Sequence, residues 1–475
     1  MSSRRLHVLA AASFVLAGAA LHASEAYVVP AHGVIGVENT QLTPEFWIAK
    51  LEHPDEVVLE RAAIETQNAK LMQLDPSMHD LQALPATLTH ERVAAWVEEL
   101  AERPAKTLYD VTGEPVSHAA LDAVVDNRNL DAIPGQQSTR YGLVVRRADL
   151  RTFPTALRVF RSPGDTDIDR FQESALFPGT PIVIAHESRD ERWWFVVSPR
   201  YAAWIEKQYV AEGAAAEVFG YRDKSPYRIV TGATVDTVFS PEEPALSELQ
   251  LDMGVRVPVL ADRPAGEPVN GQHPYASYVI ELPMRAEEGG LRLAPVLLQR
   301  TADTAGEYLP LTRANIIRQG FKFLGERYGW GHSYNGRDCS GFVSEVYRSM
   351  GVQMPRNTSA QSVSPALHKR QFDAADERSA RMAAIGSLDV GDLVYIPGHV
   401  MMVVGRVDGE PWVIHDTTGI SYRTPEGSMA RVDLNAVSVT PLMPLKFNEN
   451  ESYVDRMTSI VRIHFNSARE APPPP

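Results

Sequence analysis

The chain has 475 residues, room for about three domains at the usual size of roughly 150 residues each. Apolar residues make up 44% and charged residues 22%, with no run of 18 apolar residues, which excludes a disordered chain and a polytopic membrane protein. With 60 acidic against 46 basic residues the net charge is −14, and no Lys/Arg block is interleaved with aromatics, so nucleic acid is a poor partner and a neutral or cationic polymer a better one.

Residues 1–26 read as a secretory signal peptide. Arg4 and Arg5 precede an apolar stretch from Val8 to Ala20, and the small residues Ala23, Ser24 and Ala26 follow. No cysteine follows the stretch, so a lipid anchor is not expected. Residues 40–104 read as helical: Thr43 is a fitting N-cap with Pro44 at the first helical position, and helical periodicity resumes after Pro54. This segment should be a cap packed on something else.

The pattern changes to β between 105 and 213, where YGLVV, ALRVF, PIVIA and RWWFVV are separated by turn residues. A second set, YRIVTG, GVRVPVLA, YASYVIELP and LRLAPVLL, fills 217–300. The expectation is two small all-β barrels in tandem. Trp193, Trp194, Phe195, Tyr201 and Trp204 are read as barrel core rather than as a ligand groove. Residues 311–465 mix helices and strands as an α+β module, and the tail 466–475, ending APPPP, should be loose.

The chain has one cysteine, Cys339, which forbids an internal disulfide in a protein read as exported. Gly329, Gly331 and Gly336 mark a tight loop before it. From Phe342 through Val343, Val346, Tyr347 and Met350 the apolar residues recur at helical spacing until Gly351. Cys339 therefore sits at a helix N-terminus, where the dipole and free amides should lower its pKa and could hold an oxyanion.

A nucleophilic thiol needs a base. GDLVYIPGHVMMVVG starts a strand at His399, and PWVIHDTTG places His415 near the end of the next. If the strands pair so that partner numbers sum to 814, His399 faces His415; a strict two-residue turn at Asp408–Gly409 gives 817 and sends the two rings to opposite faces. The expectation is 814, with His399 as base and His415 fixing its tautomer. Zinc is a poor alternative, because the cysteine and histidines lack any short paired spacing.

DCSGFV at 338–343, YGWG at 328–331, PGHVMMVVG and VIHD together closely resemble the NlpC-type family of bacterial cell-wall cysteine peptidases, over roughly 313–465. LTPEFW at 42–47, RADLRTFPT at 147–155 and PGTPIV at 178–183 resemble the subgroup with an N-terminal helical segment and two bacterial SH3-like barrels. The resemblance implies a papain-like catalytic domain cutting an amide in peptidoglycan stem peptides, typically between γ-D-glutamate and the following diamino acid, without a cofactor. By motif, Cys339 is nucleophile, His399 base and His415 the polar third member, with Asp338, Ser340, Tyr328 and Trp330 in the substrate pocket. In such enzymes the carboxylate before the cysteine helps hold the free amine of an N-terminal L-alanine. An acid there opposes thiolate formation, so Asp338 makes sense as a cation receptor or as a helix cap.

Two positions depart from the family pattern: His332 replaces a usual glycine, and Asn357 a usual acidic residue. A charged insertion at 368–386 is expected to reshape a cleft wall. The whole reads as a monomeric, periplasmic or cell-wall peptidase acting on stem peptides or muropeptide fragments, the barrels limiting access. A non-catalytic wall-binding protein and an amidase on the same fold are the alternatives.

Overall fold

The structure is a computed structural model that describes residues 27–100 and 102–463. The signal-peptide reading at 1–26 and the tail at 466–475 lie outside the described residues. Among the described residues no helix is long and apolar enough to cross a membrane.

The N-terminal segment is shared between two partners. Pro44–Ile48 is a short helix behind Thr43, and it seats Trp47, 1% exposed, in the core of the C-terminal module. Arg61, opening helix Arg61–Leu74, donates to the Met350 carbonyl at 2.8 Å. Helix His90–Leu100 instead turns Val93 and Val97 onto the first β module, beside Trp193, Phe195 and Trp204.

That first module is one seven-stranded antiparallel sheet covering Arg140–Val144 to Val210–Gly213. The large aromatics are its core, as expected: Trp193, Trp194, Phe195 and Trp204 are all buried. The second module, Tyr227–Val230 to Thr304–Ala305, falls into three small sheets around Val230, Leu251, Ile280 and Val296. Neither module closes into the barrel expected from its strand pattern, because strand periodicity reports which face is buried, whereas closure depends on edge pairings made far apart in sequence.

The C-terminal module has helices α1 (Arg313–Phe321) and α2 (Cys339–Arg348) on one face of a six-stranded antiparallel sheet. Its strands are β1 (His368–Gln371), β2 (Leu393–Ile396), β3 (His399–Val407), β4 (Glu410–Arg423), β5 (Met429–Pro441) and β6 (Ser459–Arg462), in the order β1-β6-β2-β3-β4-β5. Val400, Met402 and Val404 pack toward α2 with Phe342 and Val346. Met401, Val403 and Val413 face the other side, covered by Ile35, Phe372 and Ile385. The insertion at 368–386 builds edge strand β1 and a helix, Arg378–Gly386, on the sheet face opposite α2.

The register of β3 with β4 differs from the expected one in an instructive way. Next to the turn, Val407 pairs with Glu410 and Gly405 with Trp412, a sum of 817, because Asp408 and Gly409 both take positive φ and make a two-residue turn. A bulge between Val403 and Gly405 then shifts the ladder to 816, with Val403 opposite Val413 and Met402 opposite Ile414. One residue of slip reverses which side chains share a face, so the bulge returns His399 and His415 to a common face without pairing them directly. Gly405, at φ 152°, makes this possible: a Cβ there would lie 2.9 Å from the Trp47 ring. Gly405→Ala is expected to cost about 1–3 kcal/mol through overpacking and to lower turnover more than its stability loss explains. Thermal melts and kcat/KM on one soluble peptide check this; unchanged values for both would show that the bulge tolerates the methyl.

Candidate active site

Cys339 is the first residue of α2, as the spacing predicts, and Asp338 is its N-cap, accepting the Gly341 amide at 2.8 Å. The thiol is 5% exposed and receives a hydrogen bond from the backbone amide of Val400, the residue after His399. That contact joins the helix to the start of β3. His399 follows the two-residue turn Pro397–Gly398, with Ile396 paired to His399 and Gly398 at φ 79°, as a turn with Pro then Gly favours.

His399 Nε2 lies 2.8 Å from His415 Nδ1, and His415 Nε2 lies 3.0 Å from Thr440 Oγ1 on β5. These contacts set the tautomers. If His399 Nδ1 is to take the thiol proton it must be bare, so Nε2–H donates to His415 Nδ1, and His415 Nε2–H donates to the Thr440 hydroxyl. Thr440 was not read from the sequence, where a Thr in an extended strand carries no signal.

The electrostatics differ from the expected dipole-activated thiolate. Burial, then the charge of Asp338, push the Cys339 thiol up to about 12, against the opposing hydrogen bond from Val400. Burial lowers His399 to about 4. At neutral pH both groups are therefore uncharged, a thiol and an imidazole. We expect the acid limb of kcat/KM near pH 4 rather than near the ordinary imidazole value, since His399 accepts a proton only above its own pKa. A pH profile on a soluble peptide checks this; an acid limb at pH 6–7 would mean a preformed ion pair.

Asp338 does not stand free as a cation receptor. Arg356 pairs with it, Nη2 to Oδ2 at 2.8 Å and Nη1 to Oδ1 at 3.1 Å, and Ser340 Oγ and the Gly331 amide complete its shell. Those partners hold its carboxyl well below the usual range despite burial. Ser340 also accepts from Arg356 at 2.9 Å. Tyr328 is buried beside Cys339, Asp338 and Asp416, and its phenol is pushed up by burial and by their charges. Trp330 donates its indole N–H to the Gln172 carbonyl at 3.2 Å, so in this structure it docks the first β module onto the loop before the thiol.

His332, at φ 66°, occupies a backbone conformation that suits the glycine usual there. Its ring is wedged between Glu345 Oε1 (3.1 Å) and Arg356 Nη2 (2.8 Å), and burial lowers its pKa to about 3. Glu345 continues to Arg337 Nε at 2.6 Å, and Arg337 reaches Glu326 at 2.6 Å and Asp252 of the second module at 2.9 Å. Arg147 of the first module pairs with the same Asp252 and donates to the Gly336 carbonyl at 2.6 Å. Both β modules thus hold the loop that carries the thiol. The sequence hinted at this network only through Glu345, an acid on an otherwise apolar helix face.

Asn357 is exposed, and its side chain meets the Tyr201 hydroxyl, which donates to Glu173 Oε2 at 2.5 Å. Glu173 also accepts from Thr152 at 2.5 Å. Among the described residues no group of three or more His, Cys, Asp or Glu side chains is arranged to hold a metal ion.

Comparison with known proteins agrees with this layout. Residues 325–438 match the NlpC/P60 family, and residues 158–206 match the SH3 domain of the SH3b1 type. A Bacillus cereus protein named Gamma-D-glutamyl-L-lysine dipeptidyl-peptidase is 27% identical over 164 residues, 34% of this chain and 43% of that protein's length. The solved structure of an NlpC/P60 endopeptidase from Photobacterium damselae subsp. piscicida is similar in fold, with TM-score 0.70 and 16% identity, over 88% of this chain and 96% of that one. The chain is thus multidomain, with a stretch that matches a bacterial SH3 domain ahead of one that matches the NlpC/P60 family.

Proposed function

We propose that the protein is an exported, monomeric cysteine endopeptidase that hydrolyses the amide between γ-D-glutamate and the diamino acid of peptidoglycan stem peptides or fragments released from them. The observation that carries this reading is a lone thiol at a helix N-terminus, held by the Val400 amide, whose chain neighbour His399 lies 2.8 Å from His415. The thiol proton passes to His399 Nδ1 as the sulfur bonds to the carbonyl carbon. The tetrahedral species collapses by breaking the C–N bond, and the amine leaves with the proton from His399. Water, deprotonated by the same imidazole, then releases the acid and restores the thiol.

Arg356 neutralises Asp338, so the receptor for a substrate's free amine is assigned in this proposal to Glu173, which the first β module brings beside Tyr201 and Asn357. An amine-reading wall favours short peptides with a free N-terminus over stems still joined to glycan. Mass spectrometry of free tripeptides and of intact sacculi after digestion tests the reading. Products split after γ-D-glutamate, formed faster from the tripeptides, support it. Release of whole stems from glycan would identify an amidase, and no cleavage with retained wall binding would identify a binding protein.

A further inference from the structure

Next to the site the first β module presents a cation with no assigned task. Arg170 lies just before the strand Gln172–Leu176, where the module docks against the loop carrying Trp330 and Gly331. Its guanidinium stacks over the Trp330 ring at 5.8 Å, and it lies within electrostatic reach of the Tyr328 phenol, which in turn neighbours Cys339. Among the described residues Arg170 makes no ion pair, and its buried Nε has no hydrogen-bond partner. Arg161 approaches it closely enough to repel, with Asp165 as the acid facing it. The two like charges repel, and a further anion in front of Arg170 would be favourable.

The nearby arginines show how such charges are otherwise satisfied. Arg151 pairs with Asp169 at 2.6 Å, and Arg327 with Asp167 at 2.6 Å. Arg158 stacks on Tyr334 at 4.4 Å and lies 3.9 Å from Asp169. Arg170 alone of this group combines stacking on a residue of the thiol loop with a buried Nε that has no hydrogen-bond partner. A planar fork fixed by an aromatic face is suited to a carboxylate.

We propose that Arg170, assisted by Arg161, reads the free α-carboxylate of the glutamyl residue and so selects peptides in which that carboxylate is not amidated. This inference rests on the functional reading above: linkage through the γ-carboxyl leaves the glutamyl α-carboxylate free, at the far end of the short chain that leads to the scissile carbonyl. Replacing it with a neutral amide removes the charge that the arginine needs while leaving the scissile bond unchanged.

The test compares two synthetic substrates, L-alanyl-γ-D-glutamyl-L-lysine and the same peptide with its glutamyl α-carboxylate converted to the amide. For the wild-type protein we expect kcat/KM at least about 10-fold higher on the free acid, mostly through KM. Arg170→Gln should lower kcat/KM on the free acid by about 10- to 100-fold and erase the preference, and Arg170→Lys should restore part of it. Equal cleavage of both peptides by the wild type, or a preference that survives Arg170→Gln, overturns the assignment while leaving the γ-D-glutamyl reading intact. Failure of the wild type to cut either peptide removes that reading, and the assignment with it.

Discussion

Cys339→Ala is expected to lower stem-peptide hydrolysis by about 10⁴-fold or more while leaving the fold in place. In the proposed mechanism the sulfur forms the covalent bond to the substrate, and no second cysteine exists to replace it. Its removal deletes one small buried atom between α2 and β3 and frees the Val400 amide, a minor structural loss. His399→Ala should cost a comparable factor, because a thiol held up to about 12 has almost no thiolate at neutral pH and depends on transfer of its proton during attack. Since nucleophile and base act as a unit, the double variant should be little worse than either single one. Steady-state rates with matched circular dichroism spectra check all three, and substantial turnover by the folded Cys339→Ala variant would show that the chemistry runs elsewhere.

Arg337→Leu should carry the largest stability loss, about 3–5 kcal/mol. The guanidinium is 0% exposed and serves Glu345, Glu326 and Asp252 together, so a leucine leaves carboxylates facing one another without their cation. Asp252 and Glu345 are themselves fully buried, which prevents water from taking over. A lysine, with one compact charge, cannot reach three acids arranged around a planar fork, and Arg337→Lys should recover little. Because Asp252 belongs to the second module and also pairs with Arg147 of the first, the loss should appear as earlier separation of the modules in a denaturant titration. A melting curve matching the wild type would mean that the interface is held by its apolar contacts alone.

The two histidines show where sequence reasoning reached and where it stopped. The strand pattern placed both residues on β3 and β4, and parity alone required an even register for them to share a face. The turn at Asp408–Gly409 imposes an odd register, and the correction comes from a bulge at Gly405, where Trp47, more than 350 residues away in the chain, leaves no room for a Cβ. No local pattern encodes that contact.

Asp338 gives the same lesson in charge. Its place before the cysteine was legible as a cap or a cation receptor, and it is a cap. Its cation, however, is supplied internally by Arg356, whose position depends on Ser174 of the first module at 2.6 Å and on His332. The thiol's own pKa failed as an expectation for a related reason: the helix dipole is a local property, whereas desolvation depends on everything packed around the site.

By itself, then, the amino-acid order determined the elements with local causes: the helix that starts at Cys339, the β-rich middle with its buried tryptophans, and the short list of groups able to do thiol chemistry. Periodicity, caps and turn residues act over a few positions and can be read one at a time. The tertiary structure decided how those groups meet, which acid keeps its charge free and which loses it to an arginine, and that both β modules hold the catalytic loop. Those outcomes rest on Coulomb and packing energies between residues hundreds of positions apart, which depend on distance in space and leave no spacing along the chain.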